Sequence, residues 1–150
     1  MKSDVVQFVF ALVVLIVGGA CEEFLPKVFG VGFPVLLTAT VFLAPRRSTT
    51  AAVLFALAAG GFEDALCALP FATSVSFFTL VALISRTERL SYGMLAVVYP
   101  VYQIWLWLWH ASGENGIFGR LLVSAPIGVF AAVVVSAVLF LMERRSAIDE

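Results

Sequence analysis

The side chains best suited to chemistry are two adjacent acids, Glu63 and Asp64, in the stretch GGFEDALCALPFATS at 60–74. Paired carboxylates can exchange a proton or receive a cation, but general acid–base work needs a second group placed to share it. No such group stands near them in sequence. His110, the single histidine, closes a run holding Trp105, Trp107 and Trp109. At about 100° per residue Trp105 and Trp109 share a face and Trp107 points nearly the other way. That scatter suits an interfacial aromatic belt, with His110 at its surface, better than a cage. Cys21 and Cys67 form no CxxC and have no neighbouring histidine, so no metal site is indicated. The chain has no HExxH, GxSxG or Walker loop, so no catalytic residue, cofactor site or enzyme activity is expected.

These few polar groups sit in a chain that is 62% hydrophobic and 13% charged, with a mean hydropathy of +1.07. A soluble fold of 150 residues could not hide that much apolar surface. An all-α integral membrane protein is expected, with the bilayer as its solvent. A net charge of −1 gives no basic field for nucleic acid. Lys2, the apolar run Val5–Val17 and GGAC at 18–21 loosely resemble a lipoprotein cleavage site. Gly18 stands where a branched aliphatic residue belongs, and Asp4 weakens the basic flank, so a retained span is expected.

Six apolar segments near 5–21, 29–44, 49–69, 71–85, 91–110 and 119–142 make one transmembrane domain, residues 1–150. The punctuation between them is EEFLPK, APRRS, the Pro70 turn, RTERLS and HASGENG, with no clear internal repeat. Lys2, Arg46, Arg47, Arg86, Arg89, Arg144 and Arg145 fall on one side, and only Lys27 and Arg120 on the other. The positive-inside rule then puts both termini in the cytoplasm, which six spans satisfy. The arginines form a rim suited to anionic headgroups or to a cytoplasmic partner.

Length places the acids. Only 38 residues separate Arg47 from Arg86 and must cross twice, so the third and fourth helices are short or turn inside the bilayer. With the third helix starting at Thr49, Asp64 lies about 22 Å along it, within the hydrocarbon. Ala52, Ala56, Gly60 and Ala68 occur at steps of four around Asp64, a small-residue row that lets helices approach and turns Asp64 inward. Glu63 lies about 100° away, nearer a wet mouth or a partner. Two other readings stand beside an interior structural Asp64: both acids capping a short helix at the outer surface, or a proton relay. Pro100 is expected to kink the fifth helix, freeing carbonyls that, with Gln103, pair with Asp64 or another polar group across the bundle. Cys21 and Cys67 map to the outer side, where a disulfide is permitted and buried free thiols are favoured.

The segment from Pro34 to about Trp109 resembles the bacterial rod shape-determining MreD family. The resemblance is carried by FPVLLTATVFLAPRRS and then AAVLFALAAGGFEDALCALPFATSVSFFTLVALISR, a basic turn followed by a glycine-led helix ending in an aspartate. Asp64 takes the family's acidic position, with Gly60 and Gly61 ahead of it. Glu63 stands where the family usually has an apolar residue, and Cys67-Ala68 where it often has glycine. The resemblance implies a compact six-helix bundle similar to the substrate-binding subunits of energy-coupling-factor vitamin transporters. It implies a scaffold in the bacterial cytoplasmic (inner) membrane, without chemistry of its own. Its partners would be the membrane-anchored periplasmic protein MreC, the elongation glycosyltransferase and transpeptidase, and MreB filaments. The alternative is a vitamin-capture subunit with a cavity walled by Trp105, Trp107, Trp109 and Glu63. Such a subunit needs a small-residue docking stripe on its first helix, and there only Ala11, Gly18 and Gly19 offer one.

Overall fold

The computed structural model describes residues 2–29, 33–70, 72–88, 95–110 and 117–146. Among them are six α-helices and no strand: α1 (Lys2–Phe29), α2 (Val35–Leu43), α3 (Thr49–Leu66), α4 (Thr73–Glu88), α5 (Leu95–His110) and α6 (Ile117–Ser146). A 3-10 turn, Ala44–Arg46, follows α2. Among the described residues, two helices are long and apolar enough to cross a membrane, over Val5–Val28 and Thr49–Leu66.

The shortest helix is the most buried. Every residue of α2 from Leu36 to Leu43 is inside, because α1, α3, α4 and α6 all pack on it. Two threonines are tolerated there because each hydroxyl bonds the carbonyl four residues back, Thr38 to Pro34 at 2.7 Å and Thr40 to Leu36 at 2.8 Å. Pro34 sets where α2 begins, since a residue preceding proline avoids helical backbone. The helix therefore starts at Val35, later than the expected span from 29.

Helix α1 differs from expectation in the other direction. EEFLPK is no connection: the helix continues through it to Phe29, with Pro26 inside. Proline removes one backbone bond, that to the Glu22 carbonyl. A Lys27–Glu23 ion pair at 2.8 Å, one turn apart, braces the same turn.

Helix α3 starts at Thr49 as expected. Ser48 is its cap, accepting the Ala51 N–H at 3.3 Å. Its inward face is Ala52, Phe55, Ala56, Ala59, Gly60 and Asp64. Ala68 does not extend that row. It lies beyond the helix with φ 50°, in the left-handed region, and is exposed. Helices α3 and α4 form one closely packed hairpin, and α5 and α6 another. Helix α5 runs unbroken through Pro100.

The outward surfaces are apolar. Val5, Phe8, Leu54, Leu80, Leu108, Phe130 and Leu141 are all exposed, from five different helices.

Candidate functional site

The acids converge where five helices meet. Asp64 is buried, and its Oδ1 accepts the backbone N–H of Ser74 at 2.7 Å. Ser74 lies in the first turn of α4, where N–H groups have no acceptor inside their own helix. Asp64 is therefore both interior and a cap, and the helix it caps is the next one. A carboxylate at a helix N-terminus also meets the favourable end of the helix dipole.

Glycine makes this approach possible. A Cβ added at Gly60 would stand 2.5 Å from the Cα and 2.6 Å from the N of Val75. Backbone atoms cannot swing aside, so only glycine lets α3 reach the start of α4 here. Gly61 is different: its Cβ would meet only the Val75 Cγ2, at 3.9 Å.

A polar chain extends from the cap. Ser74 Oγ and the Tyr102 hydroxyl of α5 are 2.7 Å apart, and the Tyr102 hydroxyl donates to Glu63 Oε1 at 3.3 Å. Cys67 Sγ lies 3.9 Å from the same oxygen. Trp105 Nε1 donates to the Thr73 carbonyl at 2.9 Å. The Tyr102 ring packs on Phe77 and Phe78 with centroids 4.9 and 5.6 Å apart. These contacts fasten α5 to the first turns of α4.

Glu22 completes the group from α1. Its Oε1 accepts the Leu36 N–H at 2.7 Å, and its carboxyl is a hydrogen-bond neighbour of Glu63. One oxygen each of Glu22, Glu63 and Asp64 is out of contact with solvent and, among the described residues, meets no N–H donor. Chemically, the arrangement holds the starts of α2 and α4 in place and ties α4 to α5. Among the described residues, no three His, Cys, Asp or Glu side chains are grouped to hold a metal ion.

Of the residues singled out from sequence, the structure brings together Asp64, Gly60 and Glu63. Gln103 bonds Tyr99 on its own helix, and Asp64 pairs with the α4 backbone instead. Pro100 contributes no partner to the site. The cysteines are unbridged, and neither is buried: Cys21 is half-buried and Cys67 exposed. The Trp105 and Trp109 rings meet at a tilt of 57° with centroids 5.9 Å apart, but Trp107 and Trp109 are exposed, so the three indoles make no common wall with Glu63. The His110 side chain, Arg89 and most of HASGENG lie outside the described residues. The first-helix glycines are covered inside the fold, Gly18 by Leu36 and Gly19 by Phe62, so they offer no free docking stripe.

Sequence reasoning missed Glu22, Ser74 and Tyr102. One signal for Glu22 was present: it follows Gly18 by four residues, as Asp64 follows Gly60. No protein-family model, curated protein or solved structure matches the chain.

Proposed function

We propose that this chain is a non-enzymatic scaffold of the bacterial cell-shape machinery, of the MreD kind. In this reading it crosses the cytoplasmic membrane six times and keeps both termini in the cytoplasm. Its Asp64 end binds an MreC-like periplasmic protein, through which wall-synthesis enzymes and MreB are coupled. The apolar outer surface supports bilayer embedding, since a water-soluble monomer rarely exposes so much contiguous apolar area. Helices α2 and α4 are short for full spans and would be accommodated by local thinning.

The observation that carries the reading is the Asp64–Ser74 bond beside Gly60. The residues that give the chain its resemblance to that family are the ones that lock α3 to α4. Their hydrogen bonds go to helix ends, which is what a scaffold needs.

The test compares Asp64→Leu with Asp64→Asn in cells depleted of the native protein, normalised to the amount in the membrane. The leucine variant is expected to lose co-purification of the MreC-like partner and rod shape. The asparagine variant keeps an acceptor oxygen and should retain most of both. Full partner capture and normal rods with Asp64→Leu would overturn the proposal.

A further inference from the structure

The opposite end of the molecule carries a feature that the scaffold reading does not use. Helices α1 and α3 touch at Gly19 and Phe62. Toward the Arg47 end, an open groove of about 380 Å³ lies between them. Leu12 and Leu15 of α1 and Phe55 and Ala58 of α3 line it, and Leu43 lies at its floor. Its lining is apolar except at one end, where Gln7, Arg47 and Ser48 gather.

We infer that this groove binds one anionic phospholipid of the inner leaflet, with the phosphate at Arg47 and the start of α3 and an acyl chain lying along α3. The inference rests on the bilayer embedding proposed above and is independent of the shape partner. Three observations fit that occupant. First, the groove follows α3 from Ser48 to Ala58, ten residues or about 15 Å of helix. One leaflet contributes about half of a hydrocarbon core roughly 30 Å thick, so the groove has the depth of a single acyl chain.

Second, the charge is at the correct end. Arg47 itself lines the groove, and its guanidinium lies 5.8 Å from the centroid of the Phe10 ring. Arg46 stacks on Phe42 at 3.9 Å and bonds its carbonyl at 2.8 Å. Arg86 reaches from α4 to donate to the Arg47 carbonyl, so a third guanidinium stands at the same end. Third, the first turn of α3 presents backbone N–H groups that the helix cannot satisfy, beside Ser48. Arginines and helix-start N–H groups together recognise phosphate oxygens.

Native mass spectrometry of the purified full chain tests this, with phosphatidylglycerol, phosphatidylcholine or inorganic phosphate added at equal concentration. Phosphatidylglycerol is expected to be retained at least tenfold more than phosphatidylcholine. Arg47→Gln should remove most of that preference, and Ala58→Phe, which fills the groove, should reduce retention of both lipids. Equal retention of the two lipids, or no effect of either variant, would overturn the inference. So would phosphate adducts as abundant as the lipid adducts, which would mean an ion site, or a dimer that Ala58→Phe abolishes, which would mean that a second copy fills the groove. The variants lie away from the Asp64 end. Loss of lipid selectivity with normal partner capture therefore separates this inference from the scaffold proposal.

Discussion

Helices α1–α2 and α3–α4 use the same device at different strengths. In each, a glycine precedes an acid by four residues, Gly18 and Glu22 in one, Gly60 and Asp64 in the other. In each, the acid accepts an N–H from the first turn of the following helix at 2.7 Å, Leu36 in one and Ser74 in the other. The difference is what each glycine faces. A Cβ on Gly60 meets backbone of Val75 and Ser74, whereas one on Gly18 meets the Cδ2 tip of Leu36 at 2.7 Å. A side-chain tip can change rotamer and a backbone cannot. One motif therefore makes a fixed joint between α3 and α4 and an adjustable one between α1 and α2.

The largest effect expected from this comparison is at Gly60. Gly60→Ala must push α3 and α4 apart and should cost about 3 kcal/mol, enough to cut the folded yield in membranes. Gly18→Ala should cost about 1 kcal/mol or less, because Leu36 can yield and alanine improves helix propensity. Gly61→Ala should be neutral or slightly stabilising, with its new methyl in ordinary contact at 3.9 Å. Thermal unfolding in detergent, followed by circular dichroism, gives the order. If Gly60→Ala and Gly61→Ala behave alike, the contrast between joints is wrong.

Next come the acids. Asp64→Leu leaves the buried Ser74 N–H without an acceptor and should destabilise by about 2 kcal/mol. Glu22→Leu removes the equivalent bond from a less buried place, and about 1 kcal/mol is expected. Equal losses would mean that burial does not distinguish the two caps.

What the sequence disclosed follows the same division. The α3 start at Thr49 and the inward turn of Asp64 were legible because small residues recur at helical spacing within one element. Gly60 was legible as small, though not as the residue of the pair that faces backbone. Ser74 and Tyr102 lie on other helices, and nothing in local spacing states that α4 and α5 bring them to Glu63 and Asp64. Pro26 and Lys27 were misread as a connection because charge and proline usually end a helix, yet here α1 continues past both. The smallest helix was overextended for the opposite reason. α2 is apolar on all sides because it is enclosed by its neighbours, and hydropathy alone does not tell such a helix from a span.

The smallest prediction concerns how α3 ends. Leu69 donates to the Asp64 carbonyl at 2.9 Å across Ala68, whose φ of 50° is the conformation glycine usually supplies at a helix C-terminus. Alanine there bears roughly 1–2 kcal/mol of left-handed strain. Glycine would relieve it but loses more chain entropy on folding, by about 0.5–1 kcal/mol. Ala68→Gly should therefore stabilise the hairpin by about 0.5–1 kcal/mol, raising the midpoint of thermal unfolding. Ala65→Gly, three residues earlier on the exposed face of the same helix, should lower it by about 1 kcal/mol. Opposite signs for the same substitution three residues apart would show that the rigid joint is held in place by Asp64 and Gly60 against a strained turn. Losses of the same sign would place Ala68 in ordinary helix and make the α1–α2 and α3–α4 joints more alike than their glycines suggest.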